Sequence, residues 1–437
     1  MSYIKRFIEK DLSNWLRQTR PPYHCVLLSG ARQCGKSTLL KHLFPTGLHI
    51  NLALEGGFTE AIDTTAHFDD FTLLVENRFG FKIGSGPVLI IDEAQLSKKL
   101  GGYVRFFKEK WQTQQVILTG STLSTLFDGH ENPTGRVVEF TLRPFNFQEF
   151  LAATGREALL RKLKAWQPEK PLSETAHNET LMSLRDYLIV GGLPEVALTF
   201  KEGTDYQRLL GNIFALYKRD FDAQFSESDT AIFHQCFQRI AAATGSPIKN
   251  SSIIKSSSPG YTRVPRVLQT MEAWHLVLKV ACETSELSRT ATMVPKRYLF
   301  DHGIRYLQNP SRFAQINLQE TDDPRREEWG GLIENFVLTE LVSLGSVLPI
   351  KSWSKTNQSG NVDFIYSHGH QSTAIEVKLS SRFNRKHLAG LLAYHDFYKN
   401  MPLCLANLDR GGIYQEGRVP IMNVPIYALF GYLGEAF

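Results

Sequence analysis

A chain of 437 residues is too long for one hydrophobic core, so two or three domains are expected. Its composition, 42% hydrophobic and 21% charged, is that of a soluble globular protein, and no apolar run reaches the length of a membrane span. A formal net charge of +5 permits a nucleic-acid partner without demanding one, and five scattered cysteines with no C-x-x-C argue against a zinc site or disulfide framework and fit a reducing cytoplasm.

Residues 1–22 read as an amphipathic helix with Ile4, Phe7, Ile8, Leu12 and Trp15 on one face. Charges inside that apolar pattern distinguish it from a signal peptide. Val26, Leu27 and Leu28 then form a short buried strand. Gly30, Ala31, Arg32, Gln33, Cys34, Gly35, Lys36 and Ser37 follow, matching G-x-x-x-x-G-K-[ST], and Thr38 leads into a helical run. Strand, glycine-rich turn and helix are the context that a phosphate-binding loop needs. The glycines let backbone N–H groups turn inward, and the helix N-terminus adds partial positive charge. Lys36 is placed to reach the β- and γ-phosphates of ATP, and Ser37 to hold Mg²⁺.

A strand at 48–52 and a helix at 61–77 come next. Val88, Leu89, Ile90 and Ile91 read as a central parallel strand buried on both faces, ending in Asp92 and Glu93. Open α/β sheets place ligands at that end of their strands. Asp92 would complete the Mg²⁺ shell through Ser37, and Glu93 would polarise the attacking water. A third strand, 115–119, ends in Thr119, Gly120 and Ser121, with Thr119 and Ser121 as candidates for sensing the γ-phosphate or positioning water. Gly135 and Arg136 precede a further strand. Arg136 reads as a γ-phosphate arginine in its own chain, as one supplied to a neighbouring subunit, or as a surface residue in a turn; Arg143 is a second candidate.

Gly30 to Ser37, Ile90 to Glu93, Leu118 to Ser121, Gly135-Arg136 and Leu142 to Phe150 occur in the order seen in a large family of prokaryotic predicted AAA+ ATPases. Tyr187-Leu188 with Gly191 to Glu195, Pro295 to Gly303 and Glu334 to Val337 also resemble that family, whose members carry a C-terminal domain named DUF4143. The resemblance spans nearly the whole chain. It implies an ATPase core, a helical lid and a C-terminal module, and a homo-oligomer is one arrangement it allows.

Helices are expected at 152–163, 179–187, 205–218 and 230–244. Residues 230–300 read as a winged helix, with a helix at 263–275 and a wing strand at 277–280. Lys255, Arg263 and Arg266 supply positive charge for DNA; the other reading of this segment is domain packing.

Residues 325–437 carry a second chemical pattern. Glu334 lies on a helix at 332–344. Asp363 lies on one strand, and Glu376 and Lys378 on the next, where a period of two puts both on one face. This arrangement resembles the PD-(D/E)xK nuclease superfamily. It implies that Asp363 and Glu376, with Glu334, share a Mg²⁺ and that Lys378 orients the attacking water or steadies the transition-state phosphate. Asn361 stands where resembling chains commonly have an acidic residue, and the same fold also occurs in chains that bind nucleic acid without cutting it.

The expected fold is α/β, a P-loop parallel sheet at 1–155, a helical lid at 156–229, a winged-helix-like segment at 230–310 and a nuclease-like domain at 311–437. The expected function is a cytoplasmic Mg-ATP hydrolase, with no membrane partner, coupled to a module that meets DNA. The alternative is an ATP-dependent switch or assembly ATPase acting on a protein partner.

Overall fold

The computed structural model describes residues 3–131, 133–286, 290, 293–310, 316–319, 326–345, 348–355, 360–368 and 371–435. These form two compact units, one of Met1–Pro144 with Ala273–His275, the other of Phe145–Glu272 with Leu276–Phe437. No helix among the described residues is long and apolar enough to cross a membrane.

The first unit is built on five parallel strands: β1 (Cys25–Ser29), β2 (Leu48–Asn51), β3 (Leu89–Asp92), β4 (Val116–Thr119) and β5 (Val137–Thr141). Their order is β2-β3-β4-β1-β5. β3 and β4 are buried along their whole length, which is why they read as unbroken apolar runs. The expected helix at 61–77 is two helices, Gly56–Thr64 and Phe68–Phe79. The break has a local cause: the Asp70 carboxylate accepts the His67 N–H at 2.8 Å and starts a new helix. These two helices and Leu100–Lys110 bring Phe58, Ile62, Phe71, Val104 and Phe107 into one core with Leu27, Ile50, Leu89 and Leu118 of the sheet.

At the N-terminus the helix is Glu9–Gln18, shorter than the sequence pattern indicates. Residues 3–8 run ahead of it, and Arg6 donates to the Cys34 carbonyl at 2.9 Å and to the Arg143 carbonyl at 2.7 Å. A residue before the first helix thus ties down the phosphate loop.

The second unit opens with helices Phe147–Ala153, Glu157–Lys164, Glu174–Val190, Pro194–Lys201, Tyr206–Asp222 and Glu227–Ala242. Asn146 and Glu149 form a reciprocal cap on the first, at 2.9 and 3.0 Å. The turn at Gly191–Gly192 is held by Asp301, whose carboxylate accepts the Gly192 N–H at 2.7 Å and the Ile304 N–H at 3.0 Å. Gly191 has φ +85°, and a Cβ there would lie 2.4 Å from Asp301 Oδ1, so only glycine fits. Burial holds the Asp301 carboxyl up at about 6.

An eight-stranded mixed sheet completes this unit. Its strands are β6 (Val277–Thr284), β7 (Lys296–Leu299), β8 (Lys351–Ser354), β9 (Asn361–His368), β10 (Gln371–Val377), β11 (Leu403–Asn407), β12 (Gly412–Glu416) and β13 (Val419–Pro425). Their order is β12-β13-β11-β10-β9-β8-β6-β7. The helix Ala389–Phe397 covers Trp353, Val362, Ala374 and Leu405 with Leu391 and Tyr394. Asn335, fully buried on the helix Arg326–Leu344, bonds the Leu299 N–H at 3.2 Å and the Leu299 carbonyl at 2.9 Å. Its side chain thereby satisfies the free edge of β7.

The segment read from sequence as a winged helix is arranged differently. β6 pairs with β7 through its first half and parallel to β8 through its second, so the expected wing is part of the large sheet. A one-turn helix, Asn250–Ile253, and a single 3-10 turn, Tyr261–Arg263, stand between Glu227–Ala242 and Val264–Ala273. Arg263 is drawn to Asp229 at 3.2 Å, and Arg266 lies over the Phe225 ring at 5.2 Å. Of the positive charge expected to face DNA, Arg263 and Arg266 are engaged in these contacts and Lys255 is exposed. The boundary expected at 310–311 falls inside one compact unit, because β6 and β7 share a sheet with β8 to β13.

Candidate functional site

In the first unit the strand register gathers the polar strand ends. Asn51 pairs with Asp92, Asp92 with Thr119, and Thr119 with Leu28, immediately before the phosphate loop. The loop itself uses left-handed backbone at Gln33 (φ 66°) and Gly35 (φ 91°). Gly30 packs against β5's exit: a Cβ there would sit 2.2 Å from the Leu142 carbonyl oxygen. Lys36 starts the helix Lys36–Leu43, and its ammonium donates to the carbonyls of Gly30 at 2.9 Å and Ala31 at 3.0 Å. Burial lowers its pKa, while Glu93 and Asp92 act in the opposite sense.

Ser37 Oγ donates to Asp92 Oδ2 at 2.5 Å, joining the two expected Mg²⁺ ligands across 55 residues of sequence. The other Asp92 oxygen accepts the Glu93 N–H at 3.0 Å, and Asn51 Nδ2 lies 3.4 Å from Oδ2. Glu93 adopts φ 53°, and its Oε2 accepts from Gln95 Nε2 at 2.6 Å. The Thr119 hydroxyl is fully buried without a hydrogen-bond partner, and Ser121 is buried beyond it. Lys36, Ser37, Asp92, Glu93 and Thr119 therefore meet at one end of the sheet.

Arg136 does not join them. It precedes Val137, which pairs with Cys25 at the opposite end of β1 from the loop, and its guanidinium bonds Glu109 at 2.8 Å. A contact of Arg136 with the phosphates bound in its own chain does not follow from this placement. Arg143 lies at the other end of the strand, on the side of the phosphate loop. It follows Thr141, the partner of Ser29, and its Nε is buried without a hydrogen-bond partner. Burial brings its pKa down to about 10, with Cys34 as the neighbouring group.

Asn51, Gln95 and Arg6 escape a reading by motif. Asn51 alone carried a signal, as a polar residue ending a short strand. His275 carried none. It sits at φ 60° in the short segment assigned to the first unit, and its ring is pushed down to about 3 by burial and then by Arg143 and Lys36.

In the second unit the hairpin forms as expected: β9 and β10 pair antiparallel, with Ile375 opposite Phe364. Asp363 Oδ2 accepts the Val377 N–H at 3.0 Å, and Lys378 donates to Glu376 Oε1. Glu334 and Asp363 are bridged by Lys296, whose Nζ lies 3.2 Å from Glu334 Oε2 and 3.0 Å from Asp363 Oδ1. Burial raises the pKa values of Glu334 and Glu376, and the Asp363 charge raises both further. Lys296 was legible only as part of a family motif; its spacing of two from Tyr298 signalled a shared strand face. Among the described residues no three His, Cys, Asp or Glu side chains are grouped as metal ligands.

Three family matches divide the chain: an AAA domain at residues 22–151, a domain of unknown function (DUF8612) at 181–312, and a domain of unknown function (DUF4143) at 329–427. The chain carries an AAA domain and a C-terminal DUF4143 domain. The AAA domain span contains all five strands of the first sheet and the phosphate loop. The DUF4143 span contains Glu334, Asp363, Glu376 and Lys378. The fold is accordingly α/β: a P-loop parallel sheet of the AAA type, a helical stretch and a separate mixed sheet. Among solved structures the chain is similar to a Walker-type ATPase of Pyrococcus abyssi, at 17% identity over 70% of this chain and 96% of that one, with a TM-score of 0.45. It is similar to a signal transduction ATPase with numerous domains and a tetratricopeptide repeat sensor, from Pyrococcus horikoshii, at 15% identity over 78% and 47% of the two chains, TM-score 0.28. Drosophila ORC bound to DNA is a further match, at 11% identity over 66% and 90%, TM-score 0.27. No curated protein matches the chain.

Proposed function

We propose that the AAA domain binds Mg-ATP at residues 30–38 and hydrolyses it. The observation that carries this reading is the contact of Ser37 with Asp92 beside Lys36 and Glu93. The donor set fits Mg²⁺: a hydroxyl and a carboxylate, hard oxygens at a helix N-terminus. Ser37 and Asp92 would hold the ion, which when bound offsets phosphate charge. The inward N–H groups of Gly30 to Gly35 cradle phosphate oxygens. The Lys36 ammonium exchanges the two loop carbonyls for phosphate oxygens. Glu93, held by Gln95, takes the proton side of the attacking water. Thr119 offers its unpartnered hydroxyl to the same space.

Two variants test this. Lys36→Ala removes the cation facing the phosphates and should abolish ATP binding. Glu93→Gln keeps the shape and loses the base, so ATP should still bind while turnover falls by about 10²-fold or more. Equal turnover in Glu93→Gln and wild type would remove Glu93 from the reaction.

We further propose that hydrolysis drives a switch whose DUF4143 domain binds a partner without cutting it. The observation favouring binding over cutting is the closed ion-pair network of Lys296, Glu334 and Asp363. DNA is the partner to test first. Binding should weaken steeply with salt, since phosphate contacts release counterions, and duplex DNA should stay whole in Mg²⁺ or Mn²⁺ with or without ATP. Cleavage lost in Asp363→Ala would overturn the non-cutting reading. DNA that neither binds nor alters ATP turnover at low salt would move the search to a protein partner held by the Glu93→Gln variant.

A further inference from the structure

Lys296 and Tyr298 are two apart on β7 and share one face of the strand. Both reach Glu334: the Tyr298 hydroxyl donates to Oε2 at 3.0 Å, and Lys296 Nζ lies 3.2 Å from the same oxygen. Lys296 also donates to Asp363 Oδ1 at 3.0 Å. The remaining Asp363 oxygen is occupied by the Val377 N–H. Glu376 completes the group. Its Oε1 accepts from Lys378, and its Oε2 is buried without a partner in a residue only 6% exposed.

We propose that the Lys296 ammonium is a tethered cation standing where a divalent metal would bridge Glu334 and Asp363, so that this cluster excludes Mg²⁺ and Mn²⁺. The inference rests on the reading of the DUF4143 domain as a non-cutting module. Mg²⁺ needs carboxylate oxygens at about 2.0–2.1 Å in near-octahedral array and gives up water reluctantly. The oxygens it would use already face an ammonium that is fixed to the edge strand of the sheet. A metal must displace that ammonium or sit beside it, and either course sets a dication against a buried like charge. Glu376 Oε2 and Glu334 Oε1 carry no bond in this cluster, but each shares its carboxylate with an oxygen that already faces an ammonium, Lys378 for Glu376 and Lys296 for Glu334. The nuclease-like pattern read from sequence and the cluster in the fold therefore disagree on one residue, Lys296.

The test uses the full, nucleotide-free chain and Mn²⁺ alone, with unbound Mn²⁺ followed by electron paramagnetic resonance. Lys296→Met keeps the length of the side chain and drops its charge. Lys296→Gln keeps a hydrogen-bond donor and stands as a second variant if the first fails to fold; a wild-type circular dichroism spectrum and calorimetric melting of the second unit report folding in each. Wild type should show no Mn²⁺ site that depends on Asp363. The variants should gain one at least about tenfold tighter than any in wild type, lost again when Asp363→Asn is added. A wild-type site removed by Asp363→Asn overturns the proposal, and so do folded variants that gain none. DNA cutting by wild type that takes up no Mn²⁺ at Asp363 supports this inference and overturns only the non-cutting reading.

Discussion

Two arginines bracket β5 and differ in what the strand register does with them. Arg136 enters the strand beside Cys25, where β1 begins, and pairs with Glu109 on the helix Leu100–Lys110. Arg143 leaves it beside Ser29, where the phosphate loop begins, with an unpartnered buried Nε next to Cys34. A guanidinium in that position is a donor in search of an anion. Arg143→Ala should lower the ATP turnover number by about 10³-fold or more, in the range of a lost transition-state arginine, while nucleotide binding is largely kept. Arg136→Ala should leave turnover within about twofold, since an exposed ion pair contributes little. Paired turnover and nucleotide-binding measurements decide the matter. The reverse result would return the role to Arg136 as a residue supplied by a neighbouring chain. The sequence alone offers both arginines as candidates. Which end of a parallel sheet an arginine reaches depends on register with β1, and register is not written in the residues themselves.

Elements were legible where one local rule dominates. β3 and β4 are continuous apolar runs because both faces are buried, and the glycines of the phosphate loop mark left-handed backbone. The β9–β10 hairpin followed from apolar strands around residues 369–370, which lie outside the described residues. Less legible were elements whose identity depends on distant partners. β6 and β7 look like a small wing because their own pairing is local. Only the parallel pairing of residues 281–284 with 351–354, remote in sequence, makes them part of the larger sheet. The same remoteness hid Lys296. A lysine opening a short strand reads as solvated, and the carboxylates that enclose it come from a helix and another strand. Motifs that resisted a local explanation find one in these contacts: Asp301 fixes the Gly191–Gly192 turn, and Asn335 closes the edge of β7.

Across the whole molecule, acids buried in the second unit set a pH dependence of its stability. Glu340 is 1% exposed and accepts the Phe147 N–H, at the start of the helix Phe147–Ala153, at 2.9 Å. Burial, with Glu149 nearby, pushes its carboxyl up to about 8. Glu334 and Glu376 are also raised, by burial and the Asp363 charge. A carboxyl raised in the folded state holds its proton longer there than in the unfolded chain. Its stabilising contribution is complete below the unfolded value near 4.5 and is lost as pH climbs through the folded one. Buried histidines with lowered values, such as His302 at about 3, act the other way but are finished once pH exceeds their unfolded value near 6.5. Between about pH 6.5 and 8 the raised glutamates therefore act without that opposition, and the melting of the second unit should shift downward. In Glu340→Gln the amide oxygen still accepts the Phe147 N–H, but no charge forms. The variant should lose on the order of 2 kcal/mol less stability across that interval than wild type, a few degrees in melting temperature. Scanning calorimetry of both proteins at the two ends of the interval measures the difference. Identical slopes would mean that Glu340 is not held protonated in the fold.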